Sequence, residues 1–185
     1  MRLVGEAVAE FRGDAPQELA DVRVELPVDA HLPHDYVPGE RLRLEAYKKL
    51  AAVIDEKELT EIEEELRDRY GAPPEPVQNL LEVARLRTVA RSAEIGDIAV
   101  QGRTVRFGPV HLRESQQLRL QRLYPGSIVK DALGTILVPQ PMTARVGGTP
   151  LRDDAVLRWA SDLVRAVFLA DIAAAGNAAA LTAAR

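Results

Sequence analysis

Residues 58–76, ELTEIEEELRDRYGAPPEP, set a helix end, a tight turn and a new helix start in one short stretch. Leu59, Ile62, Leu66 and Tyr70 recur at helical spacing, which predicts one buried stripe. Gly71 stands just past that pattern, where a helix commonly ends on a residue free to take a positive φ. Pro73, Pro74 and Pro76 suit the first turn of the helix that follows. A connection this short makes the two helices packed neighbours. Beside the apolar stripe, Glu58, Glu61, Glu65 and Asp68 line up on a second one. Residues 51–70 hold eight acids against three bases, a more negative balance than the −4 of the whole chain, so the acidity is local.

Around this stretch the periodicity predicts an α+β fold: an N-terminal helical cluster, then a small, mainly antiparallel sheet with packed helices, including a C-terminal one. The helix over 40–54 is expected to turn Leu44, Tyr47, Leu50, Ala51 and Ile54 inward. Helices over 58–70 and 74–94 follow. The last carries Val77, Leu80, Leu81, Ala84, Leu86, Val89, Ala90 and Ala93 around a broad arc, which predicts a central position with contact on two sides. From residue 95 the period shortens. Ile98 to Val100 and Thr104 to Phe107 read as a hairpin about Gly102, and Ser127 to Lys130 with Thr135 to Val138 as another. RESQQLRLQRLY between them reads as a short helix, and residues 151–172 as a final helix with Val156, Ala160, Leu163, Val164 and Val167 inward. Upstream, VRVELPVDA alternates apolar and polar residues around Pro27, as an edge or isolated strand does. The expected organisation is a terminal helix at 1–13, an extended linker at 14–39, the domain at 40–172 and an Ala-rich tail at 173–185.

A chain of 185 residues can bury a core, and its 28% charged residues argue against disorder throughout. Its apolar runs are too short to cross a bilayer. Without cysteine it has no disulfide framework, thiol nucleophile or thiolate zinc site, and with no leader pattern a cytoplasmic monomer is expected. His31 and His34 form HxxH in a proline-rich loop with no third ligand nearby. His111 and Ser115 lack a GxSxG context, and neither GxxxxGK[ST] nor GxGxxG occurs. No catalysis, metal or cofactor is expected of this chain. Trp159 reads as a packing anchor.

Two charged features have alternative uses. The acidic row can be a solvated face with local pairs, Glu63 to Arg67 and Glu65 to Arg69, or a docking surface for a basic partner. Arg85, Arg87, Arg91, Arg103, Arg106, Arg113, Arg119 and Arg122 make the middle of the chain basic, so an accessory nucleic-acid-binding module is the rival reading.

LPHDYVPGERLRLEAYKKLA from Leu32 and ELRDRYGAPPEPV from Glu65 resemble, in order and spacing, the C-terminal domain of bacterial transcription-repair coupling factors. The likeness covers about residues 22–170. RLVGEAVAEFRG, residues 2–13, is similar to the last helix of that family's motor lobe. The resemblance implies a non-catalytic regulatory domain of a larger DNA translocase, which uses ATP and Mg in its motor, acts on duplex DNA and displaces stalled RNA polymerase. It implies that the domain folds back on a UvrB-like N-terminal module of the same polypeptide and masks the surface that recruits UvrA. The resemblance implies that acidic side chains of this domain form the lock against arginines of the UvrB-like module, and the matching positions are Glu65 and Asp68, with Glu58, Glu61 and Tyr70 flanking.

Overall fold

The computed structural model describes residues 21–171. The expected helix over 2–12 and the tail at 173–185 lie outside the described residues. The order of elements is β1 (Arg23–Glu25), α1 (Glu40–Ala52), α2 (Glu56–Tyr70), α3 (Glu75–Ser92), β2 (Asp97–Gln101), β3 (Thr104–Gly108), α4 (Glu114–Leu123), β4 (Ile128–Lys130), β5 (Thr135–Pro139) and α5 (Asp153–Val164). Helices precede most of the strands, and the fold is α+β.

The sheet runs β1-β2-β3-β5-β4. Both expected hairpins form, and all pairings are antiparallel except β1 with β2, which is parallel. The register aligns Val24, Ile98, Phe107, Ile136 and Val129 in one row across five strands. That row faces Leu86, Val89 and Ala90 of α3, Leu120 of α4 and Leu157, Ala160, Leu163 and Val164 of α5, and together they make the larger core. The inward residues expected of α5 are all buried. Trp159 is half-buried against this core, its ring 6.1 Å from Phe107 and 6.2 Å from Tyr124.

A second core belongs to the helices: Leu32, Val37, Ala46, Leu50, Val53, Leu59, Leu66, Val77, Leu81 and Ala84. The broad arc on α3 explains why one domain holds two cores. Its first half buries Val77 and Leu81 in the helical core, and its second half buries Leu86 and Ala90 in the sheet core.

Two expectations are corrected. Residues 14–39 are not a linker from residue 22 onward: β1 extends the sheet, Leu32 and Val37 are buried, and Asn79 Nδ2 donates to the Asp29 carbonyl at 3.0 Å. The alternation around Pro27 marks the strand, but beyond it Leu32 and Val37 are single anchors among prolines and leave no period to read. On α1 Leu50 is buried as expected, but its partner on the buried face is Ala46 with Leu42 packed beside them, whereas Leu44 (52%), Tyr47 (37%) and Ala51, and Ile54 (46%) past the helix end, remain exposed. The helix carries two apolar stripes, and small Ala46 marks the one that packs. The Tyr47 hydroxyl accepts the Leu32 N–H at 2.7 Å, which ties the preceding loop to α1.

Candidate protein-interaction surface

The charged surface is built on α2, whose ends follow from local chemistry. Asp55 caps the helix by accepting the Glu58 N–H at 2.9 Å, and Glu58 reaches back to accept the Ile54 N–H at 2.9 Å. At the other end Gly71 adopts φ 85° and ψ −167°, and its N–H donates to the Arg67 carbonyl at 2.9 Å. The Tyr36 hydroxyl donates to the Gly71 carbonyl at 3.0 Å and to the Leu66 carbonyl at 3.2 Å, and burial pushes its phenol above the ordinary value.

The expected free stripe Glu58–Glu61–Glu65–Asp68 is divided. Glu58 serves the helix start. Glu65 is turned toward α1, where Lys49 Nζ donates to both carboxylate oxygens at 2.7 and 2.8 Å, while Arg69 one turn along donates at 3.0 Å. Those hydrogen bonds, from Lys49 first and Arg69 second, hold the Glu65 carboxyl below its ordinary value against a smaller effect of burial. The reason is packing: Ile62 and Leu66 bring this edge of α2 onto α1, so Glu65 meets its neighbour. Tyr70 is likewise half-buried. Its ring lies 5.8 Å from that of Tyr36, with the Arg69 guanidinium 5.5 Å above it.

On the opposite edge, Glu56, Glu63 and Glu82 surround Arg85 of α3, and Glu63 also accepts from Arg67 at 2.9 Å. Both i,i+4 pairs anticipated from spacing are therefore present. What remains outward is Glu61, Glu64 and Asp68, at i, i+3 and i+7 on one exposed ridge. Among the described residues the cation within 4.0 Å of Glu61 is Lys57, at 3.8 Å. Among the described residues Glu64 and Asp68 have no ion-pair partner within 4.0 Å. Sequence reasoning missed Glu64 and Lys49. Glu64 lay one position off the chosen stripe, and nothing local in sequence links Lys49 to a carboxylate on the next helix.

The basic middle of the chain is largely engaged inside the domain. Arg85 meets its three glutamates, Arg87 meets Asp21, Arg106 meets Asp97, and Arg91 donates to the Val53 carbonyl at 2.9 Å. After α5 the helix passes through a π turn, Arg165–Leu169. There Arg119 donates to Asp171 at 2.6 Å and to the Ala166 and Val167 carbonyls at 3.4 Å. Arg103, Arg113 and Arg122 have no acidic partner among the described residues, and they sit apart, on a hairpin tip and at the two ends of α4.

His31 Nδ1 lies 2.8 Å from Asp29 Oδ1. Among the described residues no three His, Asp or Glu side chains gather as metal ligands do, and no helix is long and apolar enough to cross a membrane.

Fold and surface together define an α+β domain in which a charged helical lobe is set on a mixed sheet. The chain belongs to the TRCF domain family, which matches residues 26–122, just over half of its length. It is 42% identical over 180 residues to the transcription-repair-coupling factors of Mycobacterium bovis and Mycobacterium tuberculosis, covering 90% of this chain and 14% of each of those proteins. It is 38% identical over 100 residues to that of Escherichia coli, covering 51% of this chain and 9% of that protein. The crystal structure of a C-terminal domain of transcription-repair coupling factor superposes with TM-score 0.64 at 18% identity, over 83% of this chain and 94% of that one.

Proposed function

We propose that this domain is the regulatory brake of a transcription-repair coupling DNA translocase. It closes on a UvrB-like N-terminal module of the same polypeptide, masks UvrA docking and restrains the motor. The parent acts in the cytoplasm in transcription-coupled nucleotide-excision repair, using ATP in its motor to displace stalled RNA polymerase from duplex DNA. The observation that carries this reading is Asp68: in a chain of this family it stands exposed and without a cation among the described residues, at the end of a helix whose other carboxylates are mostly engaged. Glu61 and Glu64 extend the same ridge, and Glu65 lies at its edge.

The energetics suit a brake that must release. Exposed ion pairs contribute only ~0.2–1 kcal/mol each. Tethering raises the effective concentration of the partner to roughly the millimolar range, so a weak contact still closes an intact protein. Asp68→Arg in the full-length parent replaces attraction by repulsion and is expected to weaken closure about tenfold. The measurement is capture of UvrA by the parent and its variant, with a thermal melt of the variant domain beside it. More UvrA bound, with the melt unmoved, is the expected result. Equal capture by a folded variant would remove Asp68 and the masking role with it.

A further inference from the structure

We propose that Lys49 of α1 gates this surface: it is a resident cation that occupies Glu65 in the free domain, competes there with the partner's guanidinium, and leaves Asp68 as the open anchor. The inference rests on the docking role proposed above and adds to it a residue that sets affinity.

The geometry is that of a capped carboxylate. Lys49 Nζ bridges both oxygens of Glu65, at 2.8 and 2.7 Å, and Arg69 Nη1 takes a further position on Oε1 at 3.0 Å. A carboxylate offers about four acceptor positions, and a guanidinium binds it best through two parallel hydrogen bonds, one to each oxygen. An ammonium already bridging the two oxygens holds the edge that such a fork needs. Asp68, one turn further, has both oxygens free of cations among the described residues. An arginine-bearing partner therefore meets Asp68 open and Glu65 occupied.

The cap is also removable. The Lys49 and Glu65 side chains are 52% and 36% exposed, so water competes for the pair and it is weakly held. Lys49 rides on a flexible four-carbon stem, whereas a guanidinium fork is pre-organised and loses less freedom for each hydrogen bond it makes. Lys49, Ile62 and Glu65 line both of two depressions along the α1–α2 seam. One continues over Ala46 and Tyr70, the other over Val53 and Glu61. The Lys49–Glu65 bridge thus stands where the two depressions meet, with Glu45 and Arg69 giving the first a mixed rim and Glu58 and Glu61 giving the second an acidic one. Swinging Lys49 aside joins the two and gives the aliphatic stem of a partner arginine Ile62 to lie on.

The test is calorimetric titration of the 185-residue chain with the separately produced UvrB-like module of its parent. Lys49→Met keeps the aliphatic stem over Ile62 and removes the competing cation. It is expected to tighten binding about threefold, the worth of one solvated ion pair. Lys49→Arg, which grips Glu65 with a fork of its own, is expected to weaken binding. Lys48→Met removes the same charge one residue away, where no contact with Glu65 exists, and is expected to change affinity much less. Opposite shifts at one position, with the neighbouring control unmoved, separate a competitor from a general charge effect or a packing role. Lys49→Met binding no tighter than the parent chain, while Asp68→Arg weakens binding about tenfold, overturns the gate and leaves the brake standing. Asp68→Arg binding as the parent chain does overturns both.

Discussion

Glu65 answers to two cations, one from α1 and one from its own helix, and its acidity records that arrangement. The hydrogen bond from Lys49 is the largest influence and Arg69 the next, and both favour the ionised form over the protonated one. The folded-state pKa therefore lies below the ordinary 4.5. Its contribution to stability is present above the unfolded value and is lost as pH falls through the folded one. A carbon-detected NMR titration of the Glu65 side chain should give a midpoint below 4.5 in the parent chain, moving upward in Lys49→Met. A midpoint that ignores Lys49→Met would show that the lysine does not hold this carboxylate in solution. The sequence announced Glu65 as acidic and part of a row, because helical spacing is local information. It said nothing of Lys49, because the pair depends on how two helices pack.

Among the elements, α2 was the most legible from its letters and α1 the least. The apolar stripe of α2, its Gly71 stop and the prolines after it all agree on one boundary, so periodicity and punctuation suffice. The hairpins and the inward face of α5 were legible for the same reason. On α1, Leu42–Ala46–Leu50 and Leu44–Tyr47–Ala51 are both credible helical faces, and only tertiary packing chooses between them. β1 was legible as an edge strand, but its parallel pairing with β2 joins segments some seventy residues apart and has no local signature. The end of α2 gives a direct check. Gly71 combines φ 85° with ψ −167°, a region that side chains other than hydrogen scarcely enter, and a Cβ there would meet no atom within 4 Å. The cost of Gly71→Ala is therefore backbone strain rather than a clash. It should lower stability by about 1–3 kcal/mol in urea unfolding. A variant as stable as the parent would mean that the turn relaxes, in which case the Tyr36 hydrogen bond to the Gly71 carbonyl should also be lost.

At the scale of the whole molecule, the question is whether the acidic lobe can move independently of the sheet. The helical core and the sheet core share α3, which lends Val77 and Leu81 to one and Leu86 and Ala90 to the other. Arg85 sits on the same helix between these pairs and binds glutamates of α2, and Arg91 holds the Val53 carbonyl at the α1–α2 junction. Losing the helical core therefore strips α3 of half its support, and the sheet core loses the helix that covers it. The two cores should unfold as one unit. Leu59 tests this because it is fully buried in the helical core, while Trp159, the single tryptophan of the chain, packs against the sheet core. Leu59→Ala should cost about 2–5 kcal/mol. It should move the tryptophan fluorescence midpoint and the far-ultraviolet dichroism midpoint together, although the cavity lies in the other core. A tryptophan transition left at its original denaturant concentration would show two separable units joined by a passive helix. The acidic ridge could then reorient without the sheet. A single displaced transition means that the two cores unfold together, so that a loss of packing beneath α2 is felt by the whole domain.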